Sequence, residues 1–247
     1  MQLKSKYKTL VVSGCSFTEN RDESAHTWSN VLANWCNMEI VNLAVAGAGN
    51  SYISTSLIYY LETNNLDPES TLVLAMWSCY DRIDFVVDPT KFVNRQNQRK
   101  MYNEKLEHFM AGGLKWGPND VMTTKYKSLQ SQHTLALQNW LDFSNLTNYL
   151  NSKRYQHRFT ATHDVLYGQG ADPIGLLELL KSINLELDTS NWVCIDKKDK
   201  IATLEEFATY YDQRIPDDLH PTRVGHEMWL EQKLVPELIK HNIVCLN

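Results

Sequence analysis

The 247-residue sequence contains no pair of cysteines at metal-binding or redox spacing. Cys15, Cys36, Cys79, Cys194 and Cys245 are an odd, scattered set without a CxxC, which argues against a disulfide framework and a zinc site and suits a reducing compartment. No apolar run approaches the ~20 residues that cross a bilayer, so no membrane partner is expected. There is no basic excess either: the net charge is −5, which gives no electrostatic reason to expect a nucleic-acid partner. The first residues, Met1 to Lys6, run directly into an apolar segment and leave no space for a signal peptide, so a cytoplasmic protein is expected. Internal repeats, low-complexity tracts and linkers are also missing, so residues 1–247 read as one domain. What is present is ordinary: 43% hydrophobic and 21% charged residues, the balance of a folded chain long enough to bury a substantial core.

From Met1 to about Phe85 the chain spells β-loop-α-β-loop-α-β. Thr9 to Val12 is a β-branched apolar run that stops in Ser13-Gly14-Cys15-Ser16. Trp28, Val31, Leu32, Trp35 and Cys36 form one helical stripe behind Thr27, a candidate N-cap. Glu39 to Leu43 is a second strand, ending in the small-residue loop Ala44 to Asn50. Asn50 or Ser51 is placed to cap a helix that buries Ile53, Leu57, Tyr60 and Leu61. Thr71 to Met76 is the third buried strand. Right-handed crossovers then require a parallel sheet. Strands are also expected at His157–Thr162 and Trp192–Ile195, which makes about five.

From about 86 to 156 the chain is polar and aromatic-rich, too long for a structureless loop. It is read as an insertion with its own helices, a candidate lid. One helix is expected from about Ser128 to Tyr149, with Leu129, Ala136, Leu137, Trp140 and Ser144 on one side. A short helix follows around Leu176–Ser182. A last helix from Arg223 carries Val224, Met228, Leu230, Leu234 and Leu238, and Pro236 is expected to kink it.

The chemistry sits at the two ends of the chain. Ser16 lies just past the carboxyl end of the first strand, where open α/β sheets put their ligand crevice. A serine hydroxyl needs a base, and the base needs a carboxylate to fix its tautomer. Asp217-Asp218-Leu219-His220-Pro221 offers both. Asp217 and His220 are three apart and can face the same way; Asp218 competes with Asp217, and spacing does not separate them. The N–H of Ser16 and the loop ending in Gly47 are the candidate donors to a developing oxyanion.

Gly14-Cys15-Ser16, then Asn42-Leu43-Ala44-Val45-Ala46-Gly47, then Asp217 to Pro221 resemble blocks I, II and V of the SGNH (GDSL-type) hydrolases. With Phe17, Thr18, Trp28 and Asn50 the run is similar to a subgroup frequent in bacteria and tailed phages. The resemblance extends from Met1 to about Phe85 and from about Ser190 to about Leu230. It implies a three-layer α/β/α, flavodoxin-like sandwich and hydrolysis of an acyl ester, often an acetyl group, on a small molecule or glycan. By position it makes Ser16 the nucleophile, Asp217 and His220 its DxxH partners and Gly47 an oxyanion donor, with no metal and no organic cofactor.

Two positions depart from the family pattern. Cys15 replaces the Asp before the nucleophile, and its thiol is a rival nucleophile. In block III, Gly-x-Asn-Asp is replaced by Ser78-Cys79-Tyr80-Asp81, with Tyr80 where the oxyanion-binding Asn would align. Losing one such donor typically slows turnover roughly 100- to 1000-fold. Ser78 or Arg82 is the candidate substitute, and Asn50 completes the expected pocket. Acyl transfer through the same triad and a non-catalytic binding protein are the competing readings. His226 is read as a surface or core histidine, and His163-Asp164, near the crevice edge, as structural rather than pocket-lining. Lys91, Arg95, Arg99, Lys100, Lys153, Arg154 and Arg158 are read as solvated charge, and Trp116, Tyr126 and Trp140 as core.

Overall fold

A computed structural model describes residues 1–19, 27–87, 98–103, 106–111, 129–168, 174–196, 198–199, 201–218 and 220–247. The expectations placed on Lys91, Arg95, Trp116 and Tyr126, and on the side chains of Arg99 and Lys100, lie outside what is described.

The strands β2 (Thr9–Ser13), β3 (Glu39–Asn42), β4 (Thr71–Trp77) and β8 (Gln156–Ala161) form a parallel sheet in the order β3-β2-β4-β8. A parallel bridge between Phe159 and Trp192 marks a fifth position. In chain order this is 2-1-3-4-5, the flavodoxin-like arrangement. The expected fifth strand is reduced to that bridge because Cys194 sits at φ 57 and turns the chain out of the extended region.

Alternation along the strands splits the core in two. Val11, Val73, Ala75 and Trp77 face α2 (Asn50–Asn64), α3 (Gln132–Ser152) and α4 (Leu176–Ser182). Leu10, Val12, Leu72, Leu74 and Met76 face α1 (Trp28–Cys36), α5 (Leu204–Tyr210), α6 (Arg223–Trp229) and α7 (Val235–Lys240). The result is a three-layer α/β/α sandwich. A small antiparallel pair, β1 (Leu3–Ser5) with β9 (Val244–Leu246), joins the two ends of the chain. Among the described residues no helix is long and apolar enough to cross a membrane.

The insertion differs from expectation. Its first part holds β5 (Ile83–Val87), β6 (Gln98–Asn103) and β7 (Leu106–Ala111), an antiparallel sheet in the order β5-β7-β6. Helix α3 exists but turns a different face inward. Leu129 and Leu137 are exposed, whereas Ala136, Asn139, Asp142, Phe143, Leu146 and Leu150 are buried. The expected kink at Pro236 is a π-turn over Leu230–Leu234, after which Pro236 occupies the first turn of α7. Val224, expected on the apolar stripe, is exposed.

Candidate functional site

Strand β2 delivers Ser16 in a tight helical turn. The N–H groups of Thr18 and Glu19 both donate to the carbonyl of Cys15, at 2.9 and 3.0 Å. Gly14 permits the turn: a Cβ there would press into the Thr18 side chain and lie 3.2 Å from the Met76 carbonyl. Neighbours pin the turn from outside. Trp28 Nε1 donates to Thr18 Oγ1 at 3.1 Å, and Asn42 Nδ2 donates to the Thr18 carbonyl at 2.7 Å. Asn42 also accepts from Ala44 N–H at 3.0 Å, so one side chain links block I to block II. Gly47 follows, buried at φ 81, a conformation that suits glycine. Among the described residues, the N–H groups of Ser16 and Gly47 and the Ser16 hydroxyl have no hydrogen-bond partner within the protein.

His220 packs on this turn, its ring centroid 5.0 Å from that of Phe17. Its Nδ1 lies 2.7 Å from Asp218 Oδ1 and 3.0 Å from the Asp218 carbonyl. The loop is tied at its base by Ile215 N–H to the His220 carbonyl (2.8 Å) and Thr222 N–H to the Gln213 carbonyl (2.8 Å). The carboxylate that meets the ring is therefore Asp218. Asp217, which the DxxH register selects, is exposed at φ 64, and no hydrogen bond or ion pair joins it to His220. The left-handed residue reverses the turn and brings the next carboxylate, not Asp217, onto the ring. Nearby, buried His226 accepts the Trp28 N–H at 3.3 Å. Burial first, and then the nearby His220, push His226 down to about 3, so it stays neutral and acceptor-competent. Its ring performs the N-terminal capping of α1; Thr27 occupies the N-cap position without a side-chain cap bond.

Block III is held as a clamp. Ser78 N–H donates to Asn50 Oδ1 at 2.8 Å, and Asn50 Nδ2 donates to the Ser78 carbonyl at 3.2 Å and to Asn139 Oδ1 at 2.5 Å. Both N–H groups of the Asn50 amide are engaged and the residue is buried, so the structure gives Asn50 a bracing place rather than the pocket place expected of it. Ser78 is likewise buried, its hydroxyl lacking a partner among the described residues. Arg82 donates through Nη1 to the Ala48 carbonyl at 3.2 Å, bracing the end of the Gly47 loop. Neither Asn50 nor Ser51 caps α2. Asp84 from β5 does so, accepting from Gly49 N–H at 2.5 Å and Tyr52 N–H at 2.6 Å. Burial outweighs those two bonds and pushes the Asp84 carboxyl up to about 7. Burial also pushes Asp142 of α3, which accepts from Ser51 Oγ at 2.8 Å, up to about 6.

Between β4 and β8 lies a second set of charges. The Cys15 thiol is buried 3.4 Å from Thr162 Oγ1. Burial alone would raise it, but Arg82, the Phe17 N–H, Thr162 and His163 together hold it below the usual thiol range. His163 Nδ1 is 3.1 Å from Glu205 Oε2, an ion-pair distance without the alignment of a hydrogen bond. Glu205 Oε1 accepts from Arg214 Nη2 at 3.0 Å. Burial disfavours the imidazolium, yet Cys79 and Glu205 beside the ring raise it to about 10. Glu205 is held below its ordinary value: burial opposes ionisation, and His163 and Arg214 overcome it. Of this set, the sequence marks Cys15 as a rival nucleophile and His163 as a structural residue near the crevice edge. The roles of Cys79 and Glu205 carried no local signal, because the residue both meet, His163, lies far from either in the chain.

No protein-family model matches the chain, and no curated protein matches it. In overall shape it is similar to three solved structures. One is the psychrotrophic esterase EstA from Pseudoalteromonas, 11% identical, covering 95% of this chain and 97% of that one, TM-score 0.48. Another is a member of the lipolytic G-D-S-L family from Veillonella parvula, 10% identical, covering 90% and 94%, TM-score 0.45. The third is TesA, 12% identical, covering 93% and 97%, TM-score 0.48.

Proposed function

We propose that this chain is an SGNH-type serine hydrolase that cleaves an acyl ester of a small molecule or glycan through a Ser16 acyl-enzyme. One observation carries the reading. Ser16 ends the first central strand in a turn whose own N–H, like that of Gly47, is unused among the described residues, and a histidine held by a carboxylate packs on the same turn. Ser16 Oγ attacks the acyl carbon while His220 takes its proton. Asp218 accepts from Nδ1 and so leaves Nε2 as the base. The oxyanion settles on the N–H groups of Ser16 and Gly47. The proton then passes from His220 to the departing alcohol, and water repeats the sequence to release the acid. Arg82 acts by holding the Ala48 end of the donor loop.

Hydrolysis of short-chain aryl esters tests this. Ser16→Ala and His220→Ala are each expected to lower turnover by several orders of magnitude, approaching about a million-fold. Turnover equal to wild type in both variants would remove the proposal and favour a non-catalytic binding protein.

A further inference from the structure

The loop that carries Gly47 is a turn with a defined middle peptide. Ala48 N–H donates to the Val45 carbonyl at 3.0 Å, and φ is positive at Gly47 but not at Ala46, which makes Val45–Ala48 a type II turn. The Ala46–Gly47 peptide at its centre bears the candidate donor N–H, and a change to a type I turn would flip that peptide and aim the N–H away. On the entry side, Val45 N–H is fixed to the Gly14 carbonyl at 3.2 Å. On the exit side, one peptide group is held at both ends. Arg82 Nη1 donates to the Ala48 carbonyl at 3.2 Å, and Asp84 Oδ1 accepts from the Gly49 N–H at 2.5 Å. That carbonyl and that N–H belong to the same Ala48–Gly49 peptide. The other carboxylate oxygen of buried Asp84 accepts Tyr52 N–H at 2.6 Å, and the Tyr52 hydroxyl donates to the Leu43 carbonyl, where the loop begins, at 2.6 Å. Gly49 permits the approach: a Cβ there would lie 2.6 Å from Asp84 Oδ1 and 3.0 Å from the Arg82 carbonyl.

We propose that Asp84, together with Arg82, is a positioning residue for the oxyanion donor: the two side chains lock the Ala48–Gly49 peptide and so keep the turn in the form that presents the Gly47 N–H. Neither side chain touches the reacting atoms. The guanidinium meets the negative end of the peptide dipole and the carboxylate meets the positive end, so rotating the peptide breaks two charge-assisted bonds at once. The proposal rests on the hydrolase reading of Ser16 and Gly47. It gives the segment that enters β5 a part in the chemistry, although that segment opens the insertion. A donor that is present but misaimed costs less than one removed outright, whose loss slows turnover roughly 100- to 1000-fold.

The test compares wild type with Asp84→Asn, Arg82→Met and Arg82→Lys, and with Ser131→Ala as a control for lost stability alone, all well below their unfolding temperatures. With a short-chain aryl ester, Asp84→Asn and Arg82→Met should each lower kcat about ten- to 100-fold and leave KM within about twofold, the pattern of an interaction that serves the transition state. Arg82→Lys keeps a donor for the Ala48 carbonyl and should recover most of that loss, whereas Ser131→Ala should show none. Independently of turnover, magnetic resonance spectra of protein labelled at its glycine amides should show the Gly47 signal displaced in Asp84→Asn and Arg82→Met and unmoved in Ser131→Ala. An unmoved Gly47 signal in both clamp variants would overturn the proposal, and so would wild-type kcat in both. Absence of turnover in wild type would instead overturn the hydrolase reading, and the Gly47 signal tells that failure from failure of the clamp.

Discussion

The carboxyl edge of the sheet holds charge in two different ways. Around Ser16 the ionisable partners, His220 and Asp218, stand partly exposed on a loop, and the buried work is done by backbone N–H groups and neutral amides. Between β4 and β8 the charged groups are held by one another: half-buried His163 meets Glu205, Glu205 meets Arg214, and half-buried Arg82 lies near the fully buried Cys15 thiol. The first arrangement suits a reaction that creates and removes charge during turnover, because groups that reach water can exchange protons with it. The second is a standing network whose members stabilise one another and resist change of state. The difference predicts that substitutions near Ser16 alter rate with little effect on folding, whereas those in the buried networks alter folding first.

The largest expected effect sharpens that contrast. Ser16→Ala should abolish ester turnover while thermal unfolding stays as in wild type. Next is the choice of carboxylate. Asp218→Asn should lower kcat by about 10⁴-fold, the size of effect expected when the histidine loses its tautomer partner. Asp217→Asn should leave kcat within a few-fold, and parallel kinetics of the two variants check it. If Asp217→Asn proves the damaging change, the DxxH register would stand and the surface pairing described above would be wrong.

The buried side is broken by Asp84→Asn. An amide in place of the carboxylate can accept only one of the Gly49 and Tyr52 N–H groups. The expected loss is about 1–3 kcal/mol, visible as a Tm lower by several degrees. The pH dependence has a definite sign. The folded-state value is raised to about 7, above the roughly 3.9 of an unfolded chain. Between those limits the folded protein keeps a proton that the unfolded chain releases, so this residue's contribution to stability declines as pH rises from about 4 to about 7. Urea unfolding across that window should show wild type losing ground relative to Asp84→Asn. His226 acts oppositely: it stays neutral down to about 3, so its contribution is lost as pH falls from about 6.5. The smallest effect is at Ser131, whose Oγ accepts Thr134 N–H at 3.1 Å as the cap of α3. Ser131→Ala should cost about 1 kcal/mol, measured by the same unfolding curves.

The parts of this molecule legible in sequence are those where one residue type has one physical use. The runs Thr9–Val12 and Thr71–Met76 are apolar on both faces because both faces are covered, and a strand is the short element that needs this. Trp28 to Cys36 shows its stripe plainly. The tight turn after Val12 and the small-residue loop from Ala44 to Asn50 are legible because each demands a narrow choice of residue. The face of α3 was not legible, because Asn139 and Asp142 are buried polar residues that serve α2 and block III rather than water. Periodicity counts them as exterior. The β5-β7-β6 sheet was missed because Gln98 to Asn103 has no alternation of apolar and polar residues. Asp84 was missed as the cap of α2 because that helix begins far upstream, at Asn50. Asp217 and Asp218 cannot be separated by spacing; the left-handed residue that decides between them is visible only in three dimensions.

The central claim is that Ser16 is activated by His220, and covalent labelling reads it most directly. The protein is treated with a fluorophosphonate, its intact mass is measured, and the modified peptide is mapped beside His220→Ala. The account predicts one adduct, on Ser16, formed rapidly in the native protein and at a rate lower by orders of magnitude in the variant. No adduct on Ser16, or equal labelling of the native and His220→Ala proteins, would contradict it.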